Sequence, residues 1–349
     1  MGRVSQSPVY VLIFSSDNGL RDNASKFYYM YFSIPQALSF SLFGIPMFGV
    51  DTCGFNGNSD EELCNRWMQL SAFFPFYRNH NVLSANPQEA YVWSSVIDAT
   101  KTAMAIRFQL LPYIYTLFYY AHIRGDTVMR ALAWEFPDDP TLSNADRQFF
   151  LGPSILVTPV LIQGATSVDG VFPGLVEGTD VYYDWYNKTS VSVPATKNTT
   201  ISAPLGHIPV YIRGGTILAA QQPAMTTPDA RNTSWSIIIA PGVSGTATGS
   251  LYLDDGESEH PNATKIVTLT SNATGLLDVT VAGEYSGLDL PLANITLLGV
   301  RKAPASNNVR INGQHVANST YDTTSQTLFI GNLETVLGGK VWASNWTMS

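Results

Sequence analysis

The pattern of apolar and polar residues changes near the middle of the chain. Before residue 150, long apolar runs alternate with segments whose apolar residues recur at helical spacing. After residue 150, short apolar runs alternate with turns rich in Gly, Pro, Asn and Thr, which is typical of β-sandwiches. The pattern therefore predicts an α/β part with parallel strands, followed by an all-β part made of two modules.

The first half contains a strand and a helix joined by a polar loop. Residues 43–50 are apolar on both faces, which favours a parallel strand covered on both sides. Asp51 follows at the carboxyl end, where barrel enzymes carry their chemistry, although an Asp that binds loop amides fits equally well. The capping-box spacing of Ser59 and Glu62 then predicts a helix that ends at Pro75.

Three further polar residues are candidates for chemistry. Arg78 and His80 share the loop after this helix. A lone His is usually structural, but an Arg beside it, after an aromatic cluster, is the mixture of planar hydrogen-bonding groups and stacking surface that sugar sites use. Asp22 precedes the aromatic segment 27–40, and its simplest interpretation is a helix-capping residue.

More helix and a second strand complete the first half. Asn86 is a favourable N-cap for a helix that runs toward Leu110, and Pro112 kinks it or starts a second segment ending near Gly125. Residues 10–14 and 128–136 are predicted strands, and the order strand, helix, strand predicts a βαβ unit of a parallel sheet.

Nine apolar runs predict strands in the second half: 155–161, 181–186, 210–212, 236–239, 251–253, 276–281, 295–300, 309–311 and 327–330. Residues 223–232 are rich in Pro, Thr and Asp and predict the boundary between the two modules. The acidic run 254–257 lacks the spaced oxygen ligands of a calcium loop, so we interpret it as a solvated turn.

Composition narrows the function. Of the 349 residues, 45% are hydrophobic but only 13% are charged, against a typical value of about 25%. The net charge of −8 argues against nucleic acid as a partner, because a phosphate-binding protein needs a basic surface. The apolar runs near the N-terminus are too short for a signal peptide or a membrane span, so no membrane partner is expected.

The polar composition is nevertheless that of a secretory protein. Acceptor sequons for N-glycosylation begin at Asn23, Asn187, Asn198, Asn232, Asn262, Asn272, Asn294, Asn318 and Asn345. Cys53 and Cys64 are the only cysteines, and beside these sequons they favour a disulfide over a metal pair, which would need further ligands. We therefore expect a secreted or lumenal protein, and a chain that lacks its own N-terminal portion with the signal.

Several runs resemble glycoside hydrolase family 31, the α-glucosidase group. The runs are FGIPMFGVDTCGF, ELCNRWMQLSAFFPFYRNHN, LPYIYTLFYYAH, EFPDDP, QFFLGPSILVTPV, HIPVYIRGGTIL and LYLDDGES. The resemblance extends from about residue 20 to the end. It implies an α/β plus all-β chain: a partial (β/α)8 TIM barrel, its C-terminal half, followed by two β-sandwich domains. The implied limits are 1–20 for an unmatched leader, 21–146 for the barrel part, 147–225 for the proximal sandwich and 226–349 for the distal sandwich.

The resemblance also implies a reaction. Family members are retaining glycosidases in which one aspartate attacks the anomeric carbon and another acts as acid and base. Counting thirteen residues back from Pro35 identifies Asp22 as the acid/base; Asp17 does not fit this spacing. The W-x-D-M-N-E type motif that carries the nucleophile is absent. No metal or organic cofactor is implied.

Four residues match positions that line the family's glucose-binding subsite. Asp51 and His80 are implied to bind sugar hydroxyls, Arg78 to fix the acid or the ring, and Phe55 to pack against the sugar. The resemblance also implies a disulfide between Cys53 and Cys64. The expected substrate is an α-glucoside or malto-oligosaccharide.

The sequence departs from the family beside the acid/base. Arg21 replaces a glycine and Gly19 replaces a tryptophan, and a cation beside a proton donor lowers its pKa, the wrong direction for an acid. With the nucleophile missing, we expect that the chain does not turn over alone. A complementary N-terminal chain is a candidate partner, and the alternative function is a non-catalytic carbohydrate- or partner-binding fragment.

Overall fold

The computed structural model describes residues 23–192, 198–303, 309–316 and 318–349. Asp22, Arg21 and the predicted strand at 10–14 lie outside these ranges. The helices are α1 (Phe27–Leu42), α2 (Glu61–Ser71), α3 (Ser94–Arg124), α4 (Leu132–Glu135) and α5 (Thr227–Arg231), with 3-10 turns at Ala90–Val92, Pro140–Asn144 and Val336–Gly339. No helix in the described ranges is both long and apolar enough to cross a membrane.

The described strands form four sheets. Ten precede residue 222: β1 (Asp51–Thr52), β2 (Arg78–Asn79), β3 (Met129–Arg130), β4 (Phe149–Leu151), β5 (Ile155–Val157), β6 (Ser167–Val171), β7 (Tyr182–Asp184), β8 (Asn198–Ser202), β9 (Val210–Arg213) and β10 (Thr216–Gln221). Ten follow it: β11 (Trp235–Ala240), β12 (Ala247–Leu253), β13 (Lys265–Ser271), β14 (Leu277–Gly283), β15 (Leu292–Leu297), β16 (Arg310–Ile311), β17 (Gln314–His315), β18 (Ser319–Asp322), β19 (Thr327–Ile330) and β20 (Trp346–Met348).

The strand predicted over residues 43–50 is wrong in position. Gly44 has a φ of 75°, and the amide of Ile45 donates to the carbonyl of Phe40, so the segment begins as the C-terminal cap of α1. Extended pairing starts only at β1, which runs parallel to β2. Gly49 lies against the chain before β2, since a Cβ there would come within 2.0 Å of the Phe76 carbonyl oxygen.

The predicted ends of the helices also need correction. Asp60, rather than Ser59, is the N-cap of α2, because its Oδ1 accepts from the amide of Leu63 at 2.9 Å; the helix ends at Ser71, before Pro75. Neither Asn86 nor Pro112 bounds α3, which begins after Trp93 and continues through the proline to Gly125. Packing against α2, β10 and β12 offsets the cost of about 3 kcal/mol that an internal proline imposes.

The βαβ unit predicted around residues 128–136 is absent from the described structure. Only β3 forms there, followed at once by α4, and β3 pairs antiparallel with β4. The five-stranded sheet has the order β3-β4-β5-β9-β7 and is antiparallel throughout. Arg130 and Glu135 form an ion pair, and Glu135 also pairs with Arg213 in β9, which ties α4 to this sheet rather than to a parallel one.

The largest sheet has eleven strands in the order β17-β16-β20-β14-β13-β12-β10-β11-β15-β19-β18. Each of the nine runs predicted as strands in the second half overlaps a strand of the structure. Because β10 pairs with β11 along its whole length, this sheet continues across the predicted limit at residue 226. The domain limits themselves stay predictions.

The acidic turn after β12 is buried at its first residue. Asp254 is only 4% exposed, and both of its carboxylate oxygens accept from the hydroxyl of Tyr115 in α3, at 2.8 and 3.0 Å. The prediction of a solvated turn is therefore wrong for Asp254, while Asp255 is exposed as expected. This contact helps to hold α3 against the eleven-stranded sheet.

Candidate active site

The parallel pairing of β1 and β2 brings two of the predicted site residues side by side. Asp51 and Arg78 are partners in the ladder. The Nε of Arg78 donates to Oδ1 of Asp51 at 2.7 Å, and its Nη2 donates to the same oxygen. Asp51 is 6% exposed, whereas the Arg78 side chain is 30% exposed. The site therefore holds a buried carboxylate whose cationic partner faces partly into solvent.

The loops that follow these two strands bring Phe55 and His80 together. Their ring centroids lie 5.1 Å apart with an interplanar angle of 42°. The amide of Val82 donates to the carbonyl of Phe55 at 3.0 Å and joins the two loops. Phe55 is half-buried and His80 is exposed, so an apolar ring and an imidazole are both accessible beside the Asp51–Arg78 pair.

The segment directly after Asp22 is anchored to the same place. The Nδ2 of Asn23 donates to the backbone carbonyl of Asp51 at 2.7 Å. The carbonyl of Asn23 accepts from the amides of Phe55 and Asn56 at 2.9 and 3.0 Å. Lys26 is the N-cap residue of α1, and Asp22 itself lies outside the described residues, so its capping interpretation stays untested. Asn23, the residue after Asp22, is thus held by hydrogen bonds to Asp51 and to the loop that carries Phe55.

The sequon asparagines differ in exposure. Asn23 is half-buried, and the Nδ2 atom that would carry a glycan is the one that binds Asp51. Asn294 is also half-buried, and the other seven are exposed. Glycosylation at these positions stays a prediction.

Cys53 and Cys64 form the predicted disulfide, with their Cα atoms 4.7 Å apart. The bond joins the loop after β1 to α2. Within that loop Gly54 has a φ of 93°, and a Cβ there would lie 2.4 Å from the amide nitrogen of Ser25. A glycine is therefore required for the loop to contact the segment that follows Asn23.

Sequence reasoning missed two residues that support the site. Arg107 in α3 donates from Nη1 to the carbonyls of Ala72 and Phe74, at 2.8 and 2.6 Å, and from Nη2 to that of Pro75 at 2.9 Å. Burial lowers the pKa of Arg107 to about 10, so it remains a cation at neutral pH. Gln88, two residues after the predicted N-cap Asn86, is a buried side chain between the two loops. Neither residue stands out by its position in the sequence.

Chemically, the site combines groups that suit a sugar. A buried carboxylate, a guanidinium and an imidazole provide directional hydrogen bonds, and Phe55 provides an apolar face. Within the described ranges, no three His, Cys, Asp or Glu side chains are grouped so that they could hold a metal ion.

Comparison with known proteins matches two family models to the chain. Residues 10–117 match the glycosyl hydrolases family 31 TIM-barrel domain, and residues 125–218 match the glycosyl hydrolase family 31 C-terminal domain. The first match begins at residue 10, inside the segment 1–20 that we had expected to be unmatched.

Relatives and solved structures agree with these models. The α-glucosidase of Aspergillus niger is 59% identical over 329 residues, which are 94% of this chain and 33% of that protein. The lysosomal α-glucosidase of Mus musculus is 39% identical over 350 residues, covering 93% of this chain and 36% of that protein. A DNJ-bound structure of the glucosidase II α subunit is 26% identical with a TM-score of 0.81, covering 94% of this chain and 37% of that one.

The chain thus spans about a third of the length of the proteins that it resembles. The two family models together match residues in both the helical and the β-rich parts. The chain therefore belongs to glycosyl hydrolase family 31.

Proposed function

We propose that this chain carries the acid/base and glucose-binding part of a retaining α-glucosidase, which releases terminal α-linked glucose from oligosaccharides or starch-like glucans. The observation that supports it most is the convergence on one site of the Asp51–Arg78 pair, the Phe55–His80 contact and the anchored neighbour of Asp22. The names of the Aspergillus niger and mouse relatives support the same activity.

In this proposal the β1 and β2 loops bind the glucose ring. Asp51 and His80 bind its hydroxyl groups, and Phe55 packs against its apolar face. Arg78 donates twice to one oxygen of Asp51, which fixes the plane of that carboxylate before substrate arrives. A rigid acceptor reduces the entropy lost on binding.

The acid/base role falls to Asp22. It protonates the leaving oxygen and then activates water, while a second carboxylate attacks the anomeric carbon. The 349 residues contain no W-x-D-M-N-E type motif, so the nucleophile belongs to a polypeptide segment outside them. In retaining enzymes the two carboxyl groups lie about 5–5.5 Å apart. The segment that bears the nucleophile must therefore bring its carboxyl group within that distance of the Asp22 carboxyl group.

The same reasoning supports the finer fold assignment, in which residues 21–146 are the C-terminal part of a (β/α)8 barrel and two β-sandwiches follow. The parallel pairing of β1 and β2 supports this assignment, because the strands of such a barrel are parallel. The surface of α1 is unusually apolar, with Tyr28 64%, Phe32 46% and Leu42 67% exposed. An exposed apolar patch of this kind marks a surface that another element covers, and the proposed occupant is a complementary N-terminal chain.

A secretory-pathway location follows from the same family assignment. The Cys53–Cys64 disulfide is typical of oxidising compartments, and the mouse relative is named for the lysosome. The sequons on exposed residues of the β-rich part are compatible with glycosylation there.

The test is an assay on maltose and a chromogenic α-glucoside. The 349-residue chain is assayed alone and joined to the part of the Aspergillus niger α-glucosidase that it does not match. We expect activity only in the joined protein. Asp22→Asn should reduce it by roughly 10²–10⁴-fold, the usual contribution of a general acid.

Asp17→Asn is the matched control, since it removes a nearby carboxylate at the wrong spacing. If Asp17→Asn loses activity and Asp22→Asn does not, the assignment of Asp22 as the acid is wrong. A joined protein that binds glucose without hydrolysing either substrate would instead favour the non-catalytic carbohydrate-binding alternative.

A further inference from the structure

Gln88 lies between the two loops of the candidate site. It is 3% exposed. Its Nε2 lies 3.1 Å from the carbonyl oxygen of Thr52 and 3.0 Å from that of Gly54, both at or just after β1. The same nitrogen lies 3.1 Å from Oδ1 of Asn79 and 3.3 Å from the carbonyl oxygen of His80, both at or just after β2.

The backbone of Gln88 takes part in the same junction. Its carbonyl accepts from Nδ2 of Asn79 at 2.8 Å, so Asn79 and Gln88 are joined by two hydrogen bonds in opposite directions. Among the described residues, no donor reaches the side-chain Oε1 of Gln88. The hydrogen bonds from the Gln88 side chain to the two loops therefore all come from its NH₂ group, and none involves its oxygen.

The chemistry of this position requires a donor. Four acceptor oxygens surround one nitrogen that has two hydrogens. Each hydrogen is therefore shared between acceptors or exchanged among them. A carboxylate of the same shape has no hydrogen to offer and would repel all four oxygens. An apolar side chain would leave buried carbonyl groups without a donor.

We propose that Gln88 is the positioning residue of the glucose subsite: its amide holds the β1 and β2 loops together so that Phe55 and His80 face one ligand. The inference rests on the proposed function, which assigns glucose to this site. Gln88 acts through the loops and is not proposed to touch the sugar.

The test uses Gln88→Glu, which keeps the shape of the side chain and removes both hydrogens at neutral pH. Burial and four nearby acceptor oxygens raise the pKa of the introduced carboxyl group, so acidification returns one hydrogen to it. The probe is deoxynojirimycin, an iminosugar of glucose. Loss of two hydrogen bonds, each of which changes the dissociation constant about tenfold, should raise that constant roughly 100-fold near pH 7. The difference from the unmodified protein should fall to roughly tenfold near pH 4, when one bond is restored.

Two further variants separate positioning from folding. Gln88→Met has no donor at any pH, so its weaker binding should not recover on acidification. Gln221→Glu is the matched control: Gln221 is also 3% exposed and its Nε2 also donates to two backbone carbonyls, those of Arg231 and Thr233, far from the site. It should lose stability with the same pH dependence and leave the dissociation constant unchanged.

Calorimetric titration with deoxynojirimycin is done on the chain and on the joined protein described above. The inference is supported if binding recovers at low pH in Gln88→Glu and does not recover in Gln88→Met. If the unmodified protein binds and Gln88→Glu binds within about twofold of it at every pH, the inference is overturned while the proposed function stands. If the unmodified joined protein does not bind deoxynojirimycin, the proposed function fails and the inference fails with it.

Should Gln88→Glu not fold, Gln88→Met decides alone. Unchanged binding in that variant would overturn the inference.

Discussion

The ion pair between Asp51 and Arg78 allows a quantitative test of how firmly the site is built. Two unit charges about 4 Å apart interact by about 4 kcal/mol at an effective dielectric constant of 20. Asp51 is buried, but the Arg78 side chain is 30% exposed, so solvent screens part of this energy. Halving the value leaves a coupling of about 2 kcal/mol, which is well above the 0.2–1 kcal/mol of an exposed pair.

A double-mutant cycle measures this coupling. The variants are Arg78→Met, Asp51→Asn and the two together, so that each single change removes one charge with little change in volume. Hydrogen exchange of the peptides that contain β1 and β2 reports the local opening free energy. The coupling should appear as roughly a 30-fold non-additive loss of protection.

The matched control is the exposed pair of Arg124 and Asp126, whose side chains are 55% and 31% exposed. Its cycle should give no more than about 1 kcal/mol. Equal couplings in the two cycles would refute the reasoning, because burial of Asp51 would then contribute nothing to the strength of its pair.

Three further changes test the supports of the fold. Arg107→Met removes the donor to three carbonyls after α2 and should destabilise the protein by about 3 kcal/mol, seen as a lower Tm; Arg107→Lys should lose less. Lys265→Met leaves Asp289, whose side chain is 9% exposed, without its cation and should cost about 3–5 kcal/mol in denaturant unfolding. Lys265→Met with Asp289→Leu should recover most of this loss. Burial lowers the pKa of Lys188 to about 8, so the unfolded chain binds more protons between that pH and about 10.4. Stability relative to Lys188→Met should therefore rise by about 3 kcal/mol across this window, and a constant difference would contradict the assigned pKa.

Much of the β-rich half could be predicted from the sequence. All nine predicted runs overlap strands, because turns rich in Gly, Pro and Asn interrupt apolar segments at the strand period, and both signals are local. The apolar face of α2 was predictable for the same reason: Leu63, Trp67 and Leu70 are at most 2% exposed. The burial of its polar face was not, since the buried Arg66 donates both to Glu62 in the same helix and to the distant carbonyl of Ala165.

The first half shows where local signals fail. The apolar run 43–50 has the composition of a buried strand, yet the C-terminal cap of α1 occupies its start. Pro112 predicted either a kink or the start of a second segment, and packing on several sides keeps α3 one helix through the proline. Residues 128–136 have strand composition, but ion pairs from Glu135 to Arg130 and Arg213 stabilise a different arrangement. For α3 and for residues 128–136, contacts with distant parts of the chain exceed a local preference of a few kcal/mol.

For the site, the sequence by itself determined the candidate residues: Asp51, Phe55, Arg78 and His80 are recognisable by type and by family resemblance. The cysteine pair was predictable because the sequence has only two cysteines. Only the tertiary structure decided how these residues are held. The register of β1 with β2 pairs Asp51 with Arg78, and Gln88 joins the loops that bear the two rings. Such contacts depend on atoms brought together from separate parts of the chain, and a buried amide is identified as a support only by the oxygens that surround it.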